Sequence, residues 1–180
     1  MDDAIKNDVP IAVIESLATC QDLRNIYVGS HSWKPLTQED VRRFGSWWPF
    51  MEEFSLYQIQ PRSEGQVSTP LGILQDFAQA WSRTLRKVVL PFDTEAPLPD
   101  SASVRAKFDA LETLWVGSSP LQEGHVKYVV EFLKALAVGT LNVVSFYGGG
   151  GNSGYRWRVV NEEVNATLAI HSDEKISILA

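Results

Sequence analysis

Leu111-Glu-Thr-Leu114-Trp-Val116 sets apolar side chains at the first, fourth and sixth positions of a six-residue phrase, and its last three residues are of kinds that favour extended backbone. The phrase occurs four more times without gaps, as Leu23-Arg-Asn-Ile26-Tyr-Val28, Met51-Glu-Glu-Phe54-Ser-Leu56, Leu85-Arg-Lys-Val88-Val-Leu90 and Leu141-Asn-Val-Val144-Ser-Phe146. First positions are spaced by 28, 34, 26 and 30 residues. In each copy the fourth and sixth residues fall on one side of a strand and the third and fifth on the other, so each predicts a strand with one buried face.

The segments between copies carry helix signals, as parallel strands require for crossing over to a neighbour. Thr37 is placed to cap a helix whose first turn holds Glu39 and Asp40, with Val41 and Phe44 on one face. Thr69 is expected to cap a second helix with Pro70 at its first position, followed by Leu71, Leu74, Phe77 and Ala78. The third link, Pro91 through Ser101 to Lys107, is rich in proline and has room only for a short helix after a loop. From about Gln122 to Ala137, the residues Val126, Val129, Val130, Leu133 and Leu136 form a broad apolar face. Ahead of the first copy, Ile11 to Leu17 reads as the helix of a preceding unit. Gly148 to Gly151 reads as a loop, and Tyr155 to Val160 resumes as strand or helix before a mixed tail.

Short strands alternating with helices at this spacing, slightly above the roughly 20–29 residues usual for leucine-rich repeats, predict an α/β fold. The expected form is a leucine-rich-repeat solenoid of about five irregular repeats. A curved parallel sheet lines the concave face and helices cover the convex face. Residues 1–180 are expected to form one such domain, part of a longer solenoid.

Composition narrows the function classes. Lys+Arg 16 against Asp+Glu 22 leaves a net charge of -6, which disfavours nucleic acid and anionic membranes as partners. No apolar run approaches the roughly 18 residues of a membrane span. The acidic, polar start MDDAIKNDVP lacks the pattern of a secretory signal, so a cytoplasmic or nuclear location is expected.

Several stretches resemble the C-terminal leucine-rich-repeat region of fungal F-box proteins, especially the large basidiomycete group. They are Leu36-Thr-Gln-Glu-Asp-Val-Arg-Arg-Phe-Gly45 with Trp48-Pro49, the L-x-x-L-x-V-G-x-S-P pattern from Leu111 to Pro120, Val129 to Leu136, and Arg156-Trp157 after the glycine run. The resemblance spans roughly Leu17 to Val164. It implies the target-binding module of a ubiquitin ligase, in which an F-box contacts a Skp-type adaptor and the repeats hold the substrate protein. The 22 residues before Leu23 are too few for an F-box, so adaptor contact would depend on one lying outside this chain. A repeat-only scaffold unrelated to ubiquitination and a small α/β enzyme are the alternatives.

The strand rule nominates a partner-binding face. Its residues are Arg24, Asn25 and Tyr27; Glu52, Glu53 and Ser55; Arg86, Lys87 and Val89; Glu112, Thr113 and Trp115; and Asn142, Val143 and Ser145. The column Arg24, Glu52, Arg86, Glu112, Asn142 alternates in charge across strands about 4.8 Å apart, which suits either cross-strand ion pairing or partner recognition. Tyr27 and Trp115 are the aromatic contact candidates. Trp33, Trp47, Trp48, Trp81 and Trp157 are expected to pack helix against sheet.

No catalytic, cofactor or metal set is nominated. His31, His125 and His171 are far apart, and Cys20 is expected to be a buried thiol beside an apolar helix. The glycine run lacks a phosphate-loop ending, and among residues following the strands only Asp93 and His31 are even candidates for chemistry. Asn165-Ala-Thr167 fits a glycosylation triplet that is idle without export.

Overall fold

The computed structural model describes residues 11–30, 34–58, 69–117, 119–145 and 153–178. A five-residue helix, α1 (Ile11–Glu15), leads into β1 (Asn25–Ser30). The helix α2 (Gln38–Trp47) then leads to β2 (Glu53–Gln58). Next come the two-residue β3 (Thr69–Pro70), the helix α3 (Leu74–Trp81), β4 (Lys87–Val89) and the two-residue β5 (Phe92–Asp93). The chain continues through β6 (Thr113–Gly117), α4 (Val126–Leu136) and β7 (Asn142–Ser145), and ends in the 26-residue α5 (Ser153–Ile178).

Five strands form one parallel sheet in the order β1-β2-β4-β6-β7, and β3 pairs with β5 in a separate two-stranded ladder. The fold is therefore α/β with a parallel five-stranded sheet. Each strand of that sheet lies beside its predecessor. Because right-handed crossovers that always step the same way must pass on the same side, the helices gather on one face. The burial agrees. Ile26, Phe54, Leu56, Val88, Leu114 and Val116 join Val41, Phe44, Leu74, Phe77, Val129 and Leu133 in a single apolar core.

Aromatic packing thickens that core. Phe54 stacks on Phe44 at 5.9 Å and meets Phe77 edge-on at 5.1 Å, with Trp81 6.1 Å away. Each such ring, fully buried, contributes about 1.5–3 kcal/mol through area alone. The indoles also bond: Trp48 Nε1 donates to the Leu17 carbonyl at 3.0 Å, Trp81 Nε1 to the Trp48 carbonyl at 2.8 Å, and Trp157 Nε1 to the Ser119 carbonyl at 2.9 Å. Trp48, Trp81 and Trp157 are thus structural, Trp47 is half-buried against Phe44, and Trp33 lies outside the described residues.

The strand entrances share one stitch. The carbonyl of Arg24 accepts from both Glu52 and Glu53, that of Glu52 from Arg86 and Lys87, and that of Arg86 from Glu112 and Thr113.

Thr37 caps α2 in a reciprocal box: its Oγ1 accepts from the Asp40 N–H at 3.2 Å while Asp40 Oδ2 accepts from the Thr37 N–H at 2.9 Å. The start of α3 departs from expectation. Pro70 is extended, with φ -56 and ψ 137, and Thr69-Pro70 bridges to Phe92-Asp93, so the turn begins only at Leu71. Thr69 Oγ1 instead accepts from the Leu36 N–H at 3.1 Å, tying one link to the next. The third link carries β5 and then, in place of a helix, a 3-10 turn, Ser101–Ser103, opened by Asp100. The fourth helix starts at Val126, after a 3-10 turn at Glu123–His125. Tyr155 to Val160 is helix, and it continues through what reads in sequence as a mixed tail.

Helix α5 closes the β7 edge of the sheet. Trp157, Val160, Val164 and Leu168 are buried at helical spacing. Between them Asn165 Oδ1 accepts from the Leu141 N–H at 2.9 Å and its Nδ2 donates to the Leu141 carbonyl at 2.8 Å, while Asn161 Oδ1 accepts from the Val143 N–H at 2.7 Å. Two amides thereby bond backbone groups that would otherwise sit unpaired on an edge strand. Asn165, the glycosylation-triplet residue, is a structural clamp.

Candidate protein-interaction face

Strand alternation sends one set of side chains into the core and the other onto the helix-free face of the sheet. The register fixes the rows on that face. One row runs Asn25, Glu53, Lys87, Thr113, Asn142, and the next runs Tyr27, Ser55, Val89, Trp115, Val144. Arg24, Glu52, Arg86 and Glu112 sit just ahead of their strands, at the stitched entrances.

Here the fifth strand corrects the sequence alignment. Asn142, not Val143, lies opposite Thr113, and Val143 lies opposite the core residue Leu114 and is itself buried. Val144 therefore takes the place facing Trp115 on the open side, and Val143 leaves the nominated set. A one-residue slip reverses the faces of a strand, and the register irregularity between Trp115 and Gly117 accompanies it here.

Cross-strand pairs neutralise the charged positions. Arg24 bonds Glu52, Lys87 Nζ stands 3.5 Å from Glu53, and Arg86 stands 3.4 Å from Glu112. The column Arg24, Glu52, Arg86, Glu112 is thus joined in two separate pairs, Arg24–Glu52 and Arg86–Glu112, while Glu53 links to Lys87 one row up. These pairs are solvent-reachable and contribute at most about 1 kcal/mol each. Tyr27 donates its hydroxyl to Glu53, and Lys87 Nζ lies 5.8 Å from the Tyr27 ring centre. Bonding to the Glu53 carboxylate, then burial and that charge, push the Tyr27 hydroxyl from 10.0 up to about 12. Arg24 also lies over the exposed Phe50 ring, at 5.9 Å.

Accessibility varies along the second row. Tyr27 is 55% exposed, whereas Ser55 is 4% and Val89 9% exposed. Trp115 is half-buried and its Nε1 is shielded from solvent, so the two nominated aromatics are not equivalent: Tyr27 is open and Trp115 largely sheltered. Sequence reasoning missed Tyr57, 47% exposed, whose ring crosses Gly29; a Cβ on Gly29 would come within 2.6 Å of it. The signal was present as a glycine and a tyrosine at paired positions in adjacent copies.

Comparison with protein-family models, curated proteins and solved structures finds no match for this chain.

The remaining candidates fall elsewhere. Cys20 is exposed rather than buried: it lies in the turn after α1, where its N–H donates to the Leu17 carbonyl and its carbonyl accepts from the Leu23 N–H. Asp93 Oδ1 accepts from the Glu95 and Ala96 N–H groups and serves the turn after β5. His125 Nδ1 lies 3.1 Å from the Thr94 carbonyl. His31, the side chain of His171, the glycine run and the side chain of Ser145 lie outside the described residues. Among the described residues no helix is long and apolar enough to cross a membrane.

Proposed function

We propose that this chain is a protein-interaction module of leucine-rich-repeat type, a solenoid whose concave, helix-free face binds a protein target. The observation that carries the reading is the strand order: every strand of the sheet neighbours its predecessor, and the connecting helices share one core on one side. That arrangement leaves a continuous open face built from successive units. Further support comes from bonds that recur one unit apart, the stitched strand entrances and the Trp48 and Trp81 indoles among them.

The binding residues assigned on this face are Arg24, Tyr27, Glu52, Glu53, Arg86, Lys87, Glu112, Trp115 and Asn142. Neutralised but hydrated ion pairs offer donors and acceptors, and Tyr27 with Phe50 and Tyr57 offers apolar area, a mixture common in protein interfaces. In the F-box reading the target is a ubiquitination substrate, a Skp-type adaptor joins only through an F-box outside this chain, and the complex acts in the cytoplasm or nucleus. No cofactor or catalytic role is assigned.

Affinity capture with three baits tests the reading: the natural chain, a Tyr27→Ala/Arg86→Glu variant of the open face, and Tyr128→Ala on exposed α4 as control. Proteins retained by the natural chain and the control but lost with the face variant support it. Equal retention by all three refutes it.

A further inference from the structure

Of the four crossovers in the main sheet, the third is the one built without a helix. Between β4 and β6 the chain runs through β5, a proline-bearing loop and the Ser101–Ser103 turn. The loop, residues 94–100, is fastened at both ends. At one end the Thr94 hydroxyl donates to the Pro120 carbonyl, the Gln122 amide donates to Glu95, and the Thr94 carbonyl lies 3.1 Å from His125 Nδ1, just ahead of α4. A carbonyl only accepts, so that ring nitrogen carries its proton. At the other end the Pro99 ring packs on Gly72, in the turn that opens α3, where an added Cβ would come within 3.2 Å of it.

Where a helix would have filled the layer, a groove of about 550 Å³ remains between this loop and α4. Phe132, 1% exposed, and the partly buried Leu98 give it an apolar base. Pro97 and Pro99 line the loop side, and the Tyr128 ring, 66% exposed, stands on the helix side. A space held open by bonds that need no ligand, and of this size, is within the roughly 300–1,000 Å³ of small-molecule sites.

The charged groups on the groove are mostly of one sign. The carboxylates of Glu95, Asp100 and Glu131 line it against the single ammonium of Lys127. On the open face Glu52, Glu53 and Glu112 each stand beside a cation. Among the described residues neither Glu95 nor Asp100 does: Glu95 accepts from the neutral Gln122 amide, and Asp100 Oδ1 accepts from the Ala102 N–H at 3.1 Å. Glu131 has Lys134 at 3.5 Å and remains 54% exposed.

We infer that this groove is the binding site of a small organic cation, an ammonium group borne on an apolar or aromatic body. The body exchanges water for Leu98, Phe132 and the two proline rings, and the Tyr128 ring offers its face to the charge or to an aromatic body. The ammonium supplies the counter-charge that Glu95 and Asp100 lack, and an ammonium leaving water needs such a partner. An anion of the same shape meets three carboxylates, and a neutral molecule leaves them as they were. The groove lies on the helix side of the sheet, across from the open face, so the inference does not rest on the target-binding reading.

Titration of the natural chain with 2-phenylethylammonium, followed by amide NMR, tests it, with 2-phenylethanol and phenylacetate as the neutral and anionic probes of matching body. The expected result is saturable shifts confined to residues 94–100 and 122–132, with a Kd of about 1 mM or tighter and the other two probes at least about tenfold weaker. Glu95→Gln/Glu131→Gln, two exposed changes that keep side-chain volume, is expected to weaken binding by about tenfold and Tyr128→Ala severalfold, whereas Arg86→Glu on the open face leaves it unchanged. Unchanged circular dichroism verifies folding of the variants. Absence of saturable shifts up to about 10 mM probe overturns the inference. So does equal binding of the three probes, or binding that the double glutamine variant leaves intact, since either shows a crevice that does not select for charge. Shifts produced by acetyl-Phe-Lys-amide but not by 2-phenylethylammonium would assign the groove to a segment of a partner protein, and overturn it likewise.

Discussion

Replacing Asn165 by alanine removes the amide that stands in for a sixth strand. The Leu141 N–H and carbonyl, bonded at 2.9 and 2.8 Å, both lose their partner, and the Leu141 side chain around them is 1% exposed. A buried polar group left unsatisfied costs about 1–3 kcal/mol, and two such groups with partial access to water cost about 2.5–3 kcal/mol together. Alanine's better helix propensity offsets roughly 0.5 kcal/mol of this, leaving a net loss of about 2 kcal/mol. For a domain of this size the loss corresponds to a fall in Tm of about 4–8 °C. Urea unfolding measures it, with an unchanged slope showing that stability alone has moved. Asn161→Ala, which frees only the Val143 N–H, is expected to cost about half as much. Faster amide exchange at Leu141 in the first variant and at Val143 in the second would tie each loss to its bond. A loss under about 0.5 kcal/mol for Asn165→Ala, with Leu141 exchange unchanged, would falsify the clamp.

Tyr27 supplies a pH signature. A folded-state value of about 12 against 10.0 means that the folded chain holds the phenolic proton more tightly. The resulting stability is present below pH 10 and is lost as pH rises through 12. Absorbance titration of the phenolates is expected to show a late component from Tyr27, and Glu53→Gln to bring it back towards 10; a late component unaffected by that change would refute the assignment. Two glycines separate soft from hard contacts. Gly29→Ala collides only with the far end of the Tyr57 ring, so it is expected to displace that ring for less than about 1 kcal/mol, whereas Gly45→Ala sets a methyl 2.9 Å from Ala80 Cβ between α2 and α3 and costs about 1–3 kcal/mol. Urea unfolding of both variants ranks them. Cys20 is expected to react with a disulfide reagent in the native protein as fast as after unfolding, and marked native protection would contradict its exposure.

The sheet was legible because its signal was dense. Five copies of one phrase, four with a buried first residue and the other beginning at the partly buried Leu23, align without gaps, and four of the five fall in the observed register. The fifth failed for a local reason: Leu141-Asn-Val-Val144 offers apolar residues at both the third and fourth positions, and pattern alone cannot choose between Val143 and Val144. Tertiary bonding by Asn161 and Asn165 accompanies the observed choice, and no periodicity shows that in advance. Thr69 misled because Thr-Pro suits a helix start and a strand end alike, and its pairing with Phe92 lies more than twenty residues away. On the open face, the charged partners were readable from alternating signs. The sheltering of Trp115, Ser55 and Val89 was not, because it depends on what packs over a row rather than on the row itself.

Neighbour-only packing has a consequence for how the molecule comes apart. In the main sheet, strands β1 and β2, β2 and β4, β4 and β6, and β6 and β7 touch in sequence, as do helices α2 to α5. Opening can therefore begin at an end and travel inward without breaking every contact at once. The ends do not start equal. At β7, α5 buries Trp157, Val160, Val164 and Leu168 and clamps the strand's backbone, whereas β1 is bordered by a five-residue helix with Val13 half exposed. The Ile26 and Val28 amides, although bonded to β2, should thus exchange through a cheaper opening than the Leu114 and Val116 amides in the middle of the sheet, and the β7 amides should resemble the middle. Asn165→Ala should invert that order by making the β7 end the first to open. Uniform exchange across all five strands would mean that the sheet unfolds as one unit, and that the finish of its ends does not govern stability.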